Sequence, residues 1–199
     1  ITQARRNRGA KLVVVDPYRT STAEKADLHL MVRPGTDAAL ACAVMHVLFA
    51  EELADWEYLE KFTDCPAELR QHLSTRTPEW AANITGVAAD DIVAFARLYG
   101  TTKRSFLRMG YGLSRSRNGA ASVHAASCLP AVTGAWQHLG GGALYSTREI
   151  YGLDQSVIMG LDRHDPSIRT LDMSRIGAVL CNDPRDIGDG PPVKVIFIQ

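Results

Sequence analysis

Three short stretches place residues able to do chemistry where a chain commonly turns. "KLVVVD" at 11–16 ends a β-branched run in Asp16, with Pro17, Tyr18, Arg19 and Thr20 directly behind it. "RPGTDAAL" at 33–40 sets Gly35, Thr36 and Asp37 ahead of an apolar, alanine-rich segment. "RMGYGLSRSRNG" at 108–119 follows Met109 with Gly110 and Gly112 in a G-x-G spacing, and Arg115 comes after them. A carboxylate at a strand end can accept two parallel hydrogen bonds from a donor pair, either ribose hydroxyls or the N1–H and exocyclic amine of guanine. A glycine turn opening into a helix offers free N–H groups and the positive end of the helix dipole, which suit a diphosphate. Each motif also has a plain reading, Asp-Pro as a turn and Thr-Asp as a helix cap. Together they point to a nucleotide-bearing ligand.

The surrounding pattern predicts elements that would carry these residues to one edge. "KLVVVD" and "DLHLMV" (27–32) read as short buried strands. "AALACAVMHVLFAEEL" reads as a largely buried helix starting at Asp37 and capped by Thr36 or Asp37. Short helices punctuated by Pro66, Pro78, Gly86 and Gly100 follow over 55–100, and their aromatic residues read as core packing. "SFLRMG" (105–110) returns to strand, and "AASVHAASCLPAVTGAW" to helix, ended or kinked by Pro130. A loop-rich stretch from Gly140 to Ser167, a short helix in "DMSRIGAVLCN" and a last strand "VKVIFIQ" complete the chain. This alternation predicts an α/β fold: open, mostly parallel, Rossmann-like sheets with flanking helices, whose ligands bind beyond the carboxyl ends of the strands. Two lobes are expected, 1–103 and 104–199.

Composition narrows the function classes. The 199 residues carry 22 basic and 22 acidic side chains, a net charge of zero, which argues against a nucleic-acid footprint. Arg5, Arg6, Arg8 and Lys11 read as the basic end of a helix stopping at Gly9. The four cysteines lack a C-x-x-C pair and the six histidines lack an H-x-x-x-H spacing, so no metal site is assigned to this chain. No apolar run is long enough to span a membrane.

The G-x-G spacing raises a nicotinamide-binding reading, but the third fingerprint glycine is replaced by Arg115. No Asp or Glu follows until Glu149, far beyond the separation of about 20 residues that a ribose-binding carboxylate requires. An NAD-dependent dehydrogenase is therefore the weaker alternative.

The series "GAKLVVVDPYRTSTAEKADLHLMVRPGTDAAL", then "GYGLSRSRNG", then "LPAVTGAWQHLGGGALY", then a strand preceded by "GPP", resembles the molybdopterin oxidoreductases of the dimethyl sulfoxide reductase and formate dehydrogenase superfamily. The resemblance covers nearly the whole chain. It implies a molybdopterin guanine dinucleotide cofactor carrying molybdenum or tungsten, with Asp16 as guanine partner, Pro17 shaping the turn, and Tyr18, Arg19 and Thr20 lining the nucleotide. Gly35, Thr36 and Asp37 would take its phosphate or ribose end. Met109, Gly110 and Gly112 would approach the pterin, and Arg115 would supply a charge. The family's iron-sulfur cysteines, metal-ligand loop and carboxyl-terminal cofactor-binding domain have no counterpart here, so the sequence is expected to be an internal fragment. Its partners would be the rest of its polypeptide and an electron-transfer protein, and no catalytic acid, base or nucleophile is assigned within it. A degenerate nucleotide-binding module without activity is the competing class. A cytoplasmic setting is the favoured expectation, with a periplasmic one as the alternative because the sequence is expected to lack its true amino terminus.

Overall fold

The computed structural model describes residues 2–146 and 151–197. Its basic first helix, α1 (Thr2–Arg8), ends at Gly9, whose φ of 64° reverses the chain where a side chain would be strained. The β-branched run then gives β1 (Val13–Val15), which pairs in parallel with β2 (Leu28–Leu30), Val13 facing Leu28 and Val15 facing Leu30. A parallel pair needs a crossover, and a 3-10 turn at Ala23–Lys25 lies within it.

From Asp37 the chain enters α2 (Asp37–Ala50), the centre of the core. Ala43, Val44 and Leu48 are wholly buried, and apolar residues occur around the helix rather than on one stripe, so it needs neighbours on several sides. These are α4 (Pro66–Leu73), α5 (Pro78–Thr85), α6 (Ala89–Thr101) and α7 (Gly119–Val132), while α3 (Trp56–Phe62) packs on α7. The α2–α7 pairing is the most extensive between helices. Sharp starts are encoded locally: Asp55 accepts the Tyr58 N–H and Thr77 that of Trp80, and α4 and α5 each carry proline in the first turn.

The second strand pair is β3 (Phe106–Arg108) with β4 (Gly142–Leu144), again parallel, Phe106 opposite Gly142 and Arg108 opposite Leu144. Among the described residues the two sheets are separate, each with two strands.

Four expectations are revised. A strand, β4, occurs in the stretch predicted as loop. Residues 193–197 of the predicted strand "VKVIFIQ" adopt no regular structure, because among the described residues they have no neighbouring strand to pair with, and the last two residues lie outside those described. Pro130 sits inside α7 near its end rather than terminating it. Thr36 is at the N-cap position of α2 but makes no capping bond to the helix.

The chain forms two compact units, Ile1–Ile150 and Tyr151–Gln199. The boundary expected at residue 103 falls inside the first, where α7 packs on α2. The second contains α8 (Ser156–Met159), α9 (Ile176–Leu180) and α10 (Pro184–Ile187) with 3-10 turns between them, and Val179 and Ile187 are its buried apolar residues. Among the described residues no helix is long and apolar enough to cross a membrane.

Candidate functional site

At the carboxyl end of β1, the Asp16 N–H donates to the Leu30 carbonyl at 3.2 Å, which brings the carboxylate to the edge formed by both strands. Its Oδ1 accepts the Tyr18 N–H at 2.8 Å, closing the turn that Pro17 shapes, while Oδ2 makes no hydrogen bond among the described residues. His29 Nε2 lies 3.0 Å from the Asp16 carbonyl, and since a carbonyl only accepts, the imidazole carries its proton on Nε2. Tyr18 is 73% exposed, and Pro17 and Arg19 are also at the surface. The Thr20 hydroxyl accepts the Ala23 N–H at 3.2 Å, so it braces the crossover turn.

Beyond β2 the chain turns at Gly35, whose φ of 78° puts it in the left-handed region. The Thr36 N–H and hydroxyl both donate to the Arg33 carbonyl, at 3.2 and 2.6 Å, which explains the missing helix cap: the side chain closes the turn instead. Arg33 in turn reaches the Asn83 and Ile84 carbonyls at 2.9 and 3.2 Å, fixing the turn to the end of α5. Asp37 is half-buried. Burial raises its carboxyl from the ordinary value, partly opposed by a bond from its own N–H.

The β3–β4 edge is built by different means. Arg108 donates to three carbonyls, Met109 at 2.8 Å, Leu144 at 3.2 Å and Tyr145 at 2.5 Å, tying off the strand pair. Met109 is buried and its N–H bonds the Leu144 carbonyl, so at this edge it presents backbone rather than side chain. Gly110 and Gly112 are exposed, and a Cβ added at either would meet nothing within 4 Å. The following 3-10 turn, Tyr111–Arg115, is held to the β4 end by Tyr111 Oη with Ser146 Oγ at 2.8 Å, and by Ser114 Oγ with Tyr145 Oη at 2.6 Å. The rings of Tyr111 and Tyr145 meet edge to face at 5.3 Å. Arg115 is exposed and has no carboxylate partner among the described residues.

The Gly35 turn and the Tyr111–Arg115 loop meet. Asn118 Nδ2 donates to the Gly35 carbonyl at 2.8 Å across a separation of 83 residues. Beside this junction is a cavity of about 320 Å³ whose wall includes Thr36, Cys42, Arg76, Trp80 and Asn118. The Arg76 guanidinium lies 4.9 Å from the Trp80 ring centroid, an attractive cation–π arrangement, and has no carboxylate partner among the described residues. Sequence reasoning missed Asn118, Arg76 and Trp80, because nothing local distinguishes them; only the docking of α5 and α7 on α2 brings them here. Asp16 stands at the neighbouring strand edge, outside this cavity. A larger cavity, about 700 Å³, lies at the amino ends of β1 and β2, where Asp27 pairs with Arg5 at 3.0 Å and Lys11 at 3.6 Å. It is at the opposite end of the strands from Asp16 and does not belong to the site.

Among the described residues no cluster of His, Cys, Asp and Glu could hold a metal ion. What the site offers is an open carboxylate oxygen, glycine backbone with free space before it, and arginines without carboxylate partners. This donor set fits a large ligand that combines a hydrogen-bond donor edge with anionic groups.

The family model described as "Molybdopterin oxidoreductase" matches residues 1–191. "Probable oxidoreductase YoaE" of Bacillus subtilis is 38% identical over the whole chain, which spans 28% of that protein's length. "Dimethyl sulfoxide reductase DmsA" of Haemophilus influenzae is 36% identical over 67% of the chain, equal to 19% of its own length. Among solved structures, "Acetylene Hydratase from Pelobacter acetylenicus" superposes with a TM-score of 0.65 at 31% identity, covering 70% of this chain and 19% of that one. With parallel strand pairs ending in the Asp16, Gly35 and Gly110 turns and a family match along almost its full length, the chain belongs to the molybdopterin oxidoreductase family.

Proposed function

We propose that these turns bind the guanine dinucleotide form of molybdopterin, carrying molybdenum or tungsten, as one part of an enzyme that performs two-electron redox chemistry. The observation that carries this reading is Asp16: a carboxylate at the carboxyl end of a parallel strand, held in place through Oδ1 and left open at Oδ2. Such a group is preorganised to accept from the adjacent N1–H and amine of guanine, and the backbone bond to Tyr18 keeps it from rotating away. Gly110 and Gly112 leave room for a bulky ring system to approach the backbone, as glycine permits. Arg19, Arg76 and Arg115 supply positive charge for phosphates, and the Gly35 turn adds the start of α2.

The bound metal and pterin would supply the electron transfer, while this chain binds and orients them. The remainder of the polypeptide would provide the other contacts to the cofactor, and an iron-sulfur cluster or electron-transfer partner would belong to those regions or to another protein. Asp16→Asn in the full-length protein is the sharpest test. Asparagine keeps the acceptor for Tyr18 but turns a donor amide N–H toward the guanine donors, so the charge-assisted bond is lost, at about 1.5–3 kcal/mol or roughly ten- to a hundredfold in affinity. Metal analysis and guanine nucleotide release should fall together; full occupancy of both in the purified variant would refute the proposal.

A further inference from the structure

Asn118 belongs to none of the strand-end turns, yet it holds two of them at a fixed spacing. Its Nδ2 donates to the Gly35 carbonyl at 2.8 Å and its Oδ1 accepts from the Ser116 hydroxyl at 3.0 Å, so the orientation of the amide is set by an acceptor on one side and a donor on the other. The two loops are in van der Waals contact here: a Cβ on Gly35 would lie 3.4 Å from Asn118 Oδ1 and 3.5 Å from Ser116 Cβ. The backbone carrying Asn118 has little freedom to move away. Gly119, the first residue of α7, is packed so tightly that a Cβ would stand 2.7 Å from Ser114 Cα and 2.8 Å from its carbonyl carbon and oxygen. Ser114 is itself bonded to Tyr145 at the end of β4. A continuous path therefore runs from β4 through the Tyr111–Arg115 loop and Asn118 to the Gly35 turn and α2.

We infer that Asn118 is a positioning residue: its amide sets the distance between the Gly35 turn and the Gly110–Arg115 loop so that both reach one extended ligand. Without the amide each turn would still form, because Arg33 and Thr36 close one and Arg108, Tyr111 and Ser114 hold the other. What would be lost is their registration, which a ligand spanning both would have to restore at the expense of its own affinity. The inference rests on the reading that the two turns serve the same cofactor.

Asn118→Asp in the full-length protein tests it, because the change is nearly isosteric and keeps the acceptor for Ser116 while placing a carboxylate oxygen against the Gly35 carbonyl. At pH 8 cofactor retention on dialysis, read as released pterin fluorescence, should fall about fivefold, the scale of one net hydrogen bond. Protonation of that carboxyl restores a donor toward Gly35, so the deficit should shrink as the pH falls to about 4, the ordinary range of an aspartate, whereas Asn118→Ala should remain low at both pH values. A purely structural role would give no such pH-dependent recovery. Wild-type retention by Asn118→Asp at pH 8, or a deficit that does not respond to pH, overturns the inference. If Asn118→Asp fails to fold, Ser116→Ala releases the amide with Asn118 in place and should cost about twofold; unchanged retention would again overturn it. Asp16→Asn, measured in parallel, separates the layers: loss there with none at Asn118 removes only the positioning role, while full retention by Asp16→Asn removes the cofactor reading beneath it.

Discussion

The two units of the chain reach defined backbone structure by opposite routes. Ile1–Ile150 is organised by burial between residues far apart in sequence: Val44, Leu48, Ile92 and Val132, from α2, α6 and α7, are wholly or almost wholly inaccessible. Tyr151–Gln199 has Val179 and Ile187 as its buried apolar residues and repeats a local polar device. Asp154, Asp165, Asp172 and Asp183 each accept the N–H of the residue two positions on, at 2.9, 2.9, 2.8 and 3.0 Å. Turn chemistry of this kind specifies where a chain bends but buries little, so it selects conformations without supplying much free energy to hold them. The first unit thus carries its own apolar reason to fold, whereas the second leaves Val157, Ile158 and Phe197 86%, 86% and 90% exposed and depends more on its local turns.

Substitutions can break that contrast or sharpen it. The largest effect is expected from Leu48→Ala, which opens a cavity at the middle of α2 and should destabilise the first unit by about 2–5 kcal/mol in denaturant titration. Hydrogen exchange in residues 172–187 should be unchanged by it; a parallel loss there would show that the units share one cooperative transition. Next comes Gly100→Ala. The added methyl would stand 2.6 Å from Leu48 Cδ2 and 2.9 Å from Leu53 Cβ, and overpacking of this kind costs about 1–3 kcal/mol. A stability equal to wild type would mean that the core around α2 is looser than its burial indicates.

A third prediction uses acid. The side-chain bond from Arg185, followed by the bond from the Arg185 N–H, lowers the Asp183 pKa from 3.8 to about 2. Because the folded value lies below the unfolded one, the contribution is complete above about pH 4 and disappears as the pH falls through about 2. Exchange protection at the Asp183–Ile187 turn should therefore persist to about pH 3 and vanish near pH 2, and in Asp183→Asn it should be weak throughout. Protection lost already near pH 4 would contradict the assignment. The smallest effect is expected from Arg97→Ala. Its bidentate pair with Glu51, with contacts of 2.8–3.1 Å, lies in solvent, so melting should barely move, and less still at high salt.

Much of the first unit was legible because its signals are local or periodic. β-branched residues before Asp16, glycine before Thr36 and proline at the starts of α4 and α5 each act within a few residues of where they stand. β4 was not legible: "GAL" is too short and too glycine-flanked to read as a strand, and its assignment depends on pairing with β3, more than 30 positions earlier. The converse error was "VKVIFIQ", whose composition favours a strand but whose described part has no partner. At the site, Asp16 and the glycines could be found from their positions at strand ends. The Asn118 amide could not, since its meaning lies in a carbonyl that only tertiary packing brings within reach. Thr36 shows the same limit at shorter range: its type announced a cap, and the competing acceptor on Arg33 took the hydroxyl.

The apolar circumference of α2 has a consequence for synthesis. Most of its partners follow it in the chain, and the one it packs against most extensively, α7, is completed only at Val132. At ribosomal rates of about 5–20 residues per second, roughly 4–16 s separate the emergence of the two helices. During that interval a helix whose Ala39, Leu40, Val44, Val47, Leu48 and Phe49 all end up buried waits for its largest partner. In the nascent chain, α2 thus emerges with its apolar circumference still waiting for cover.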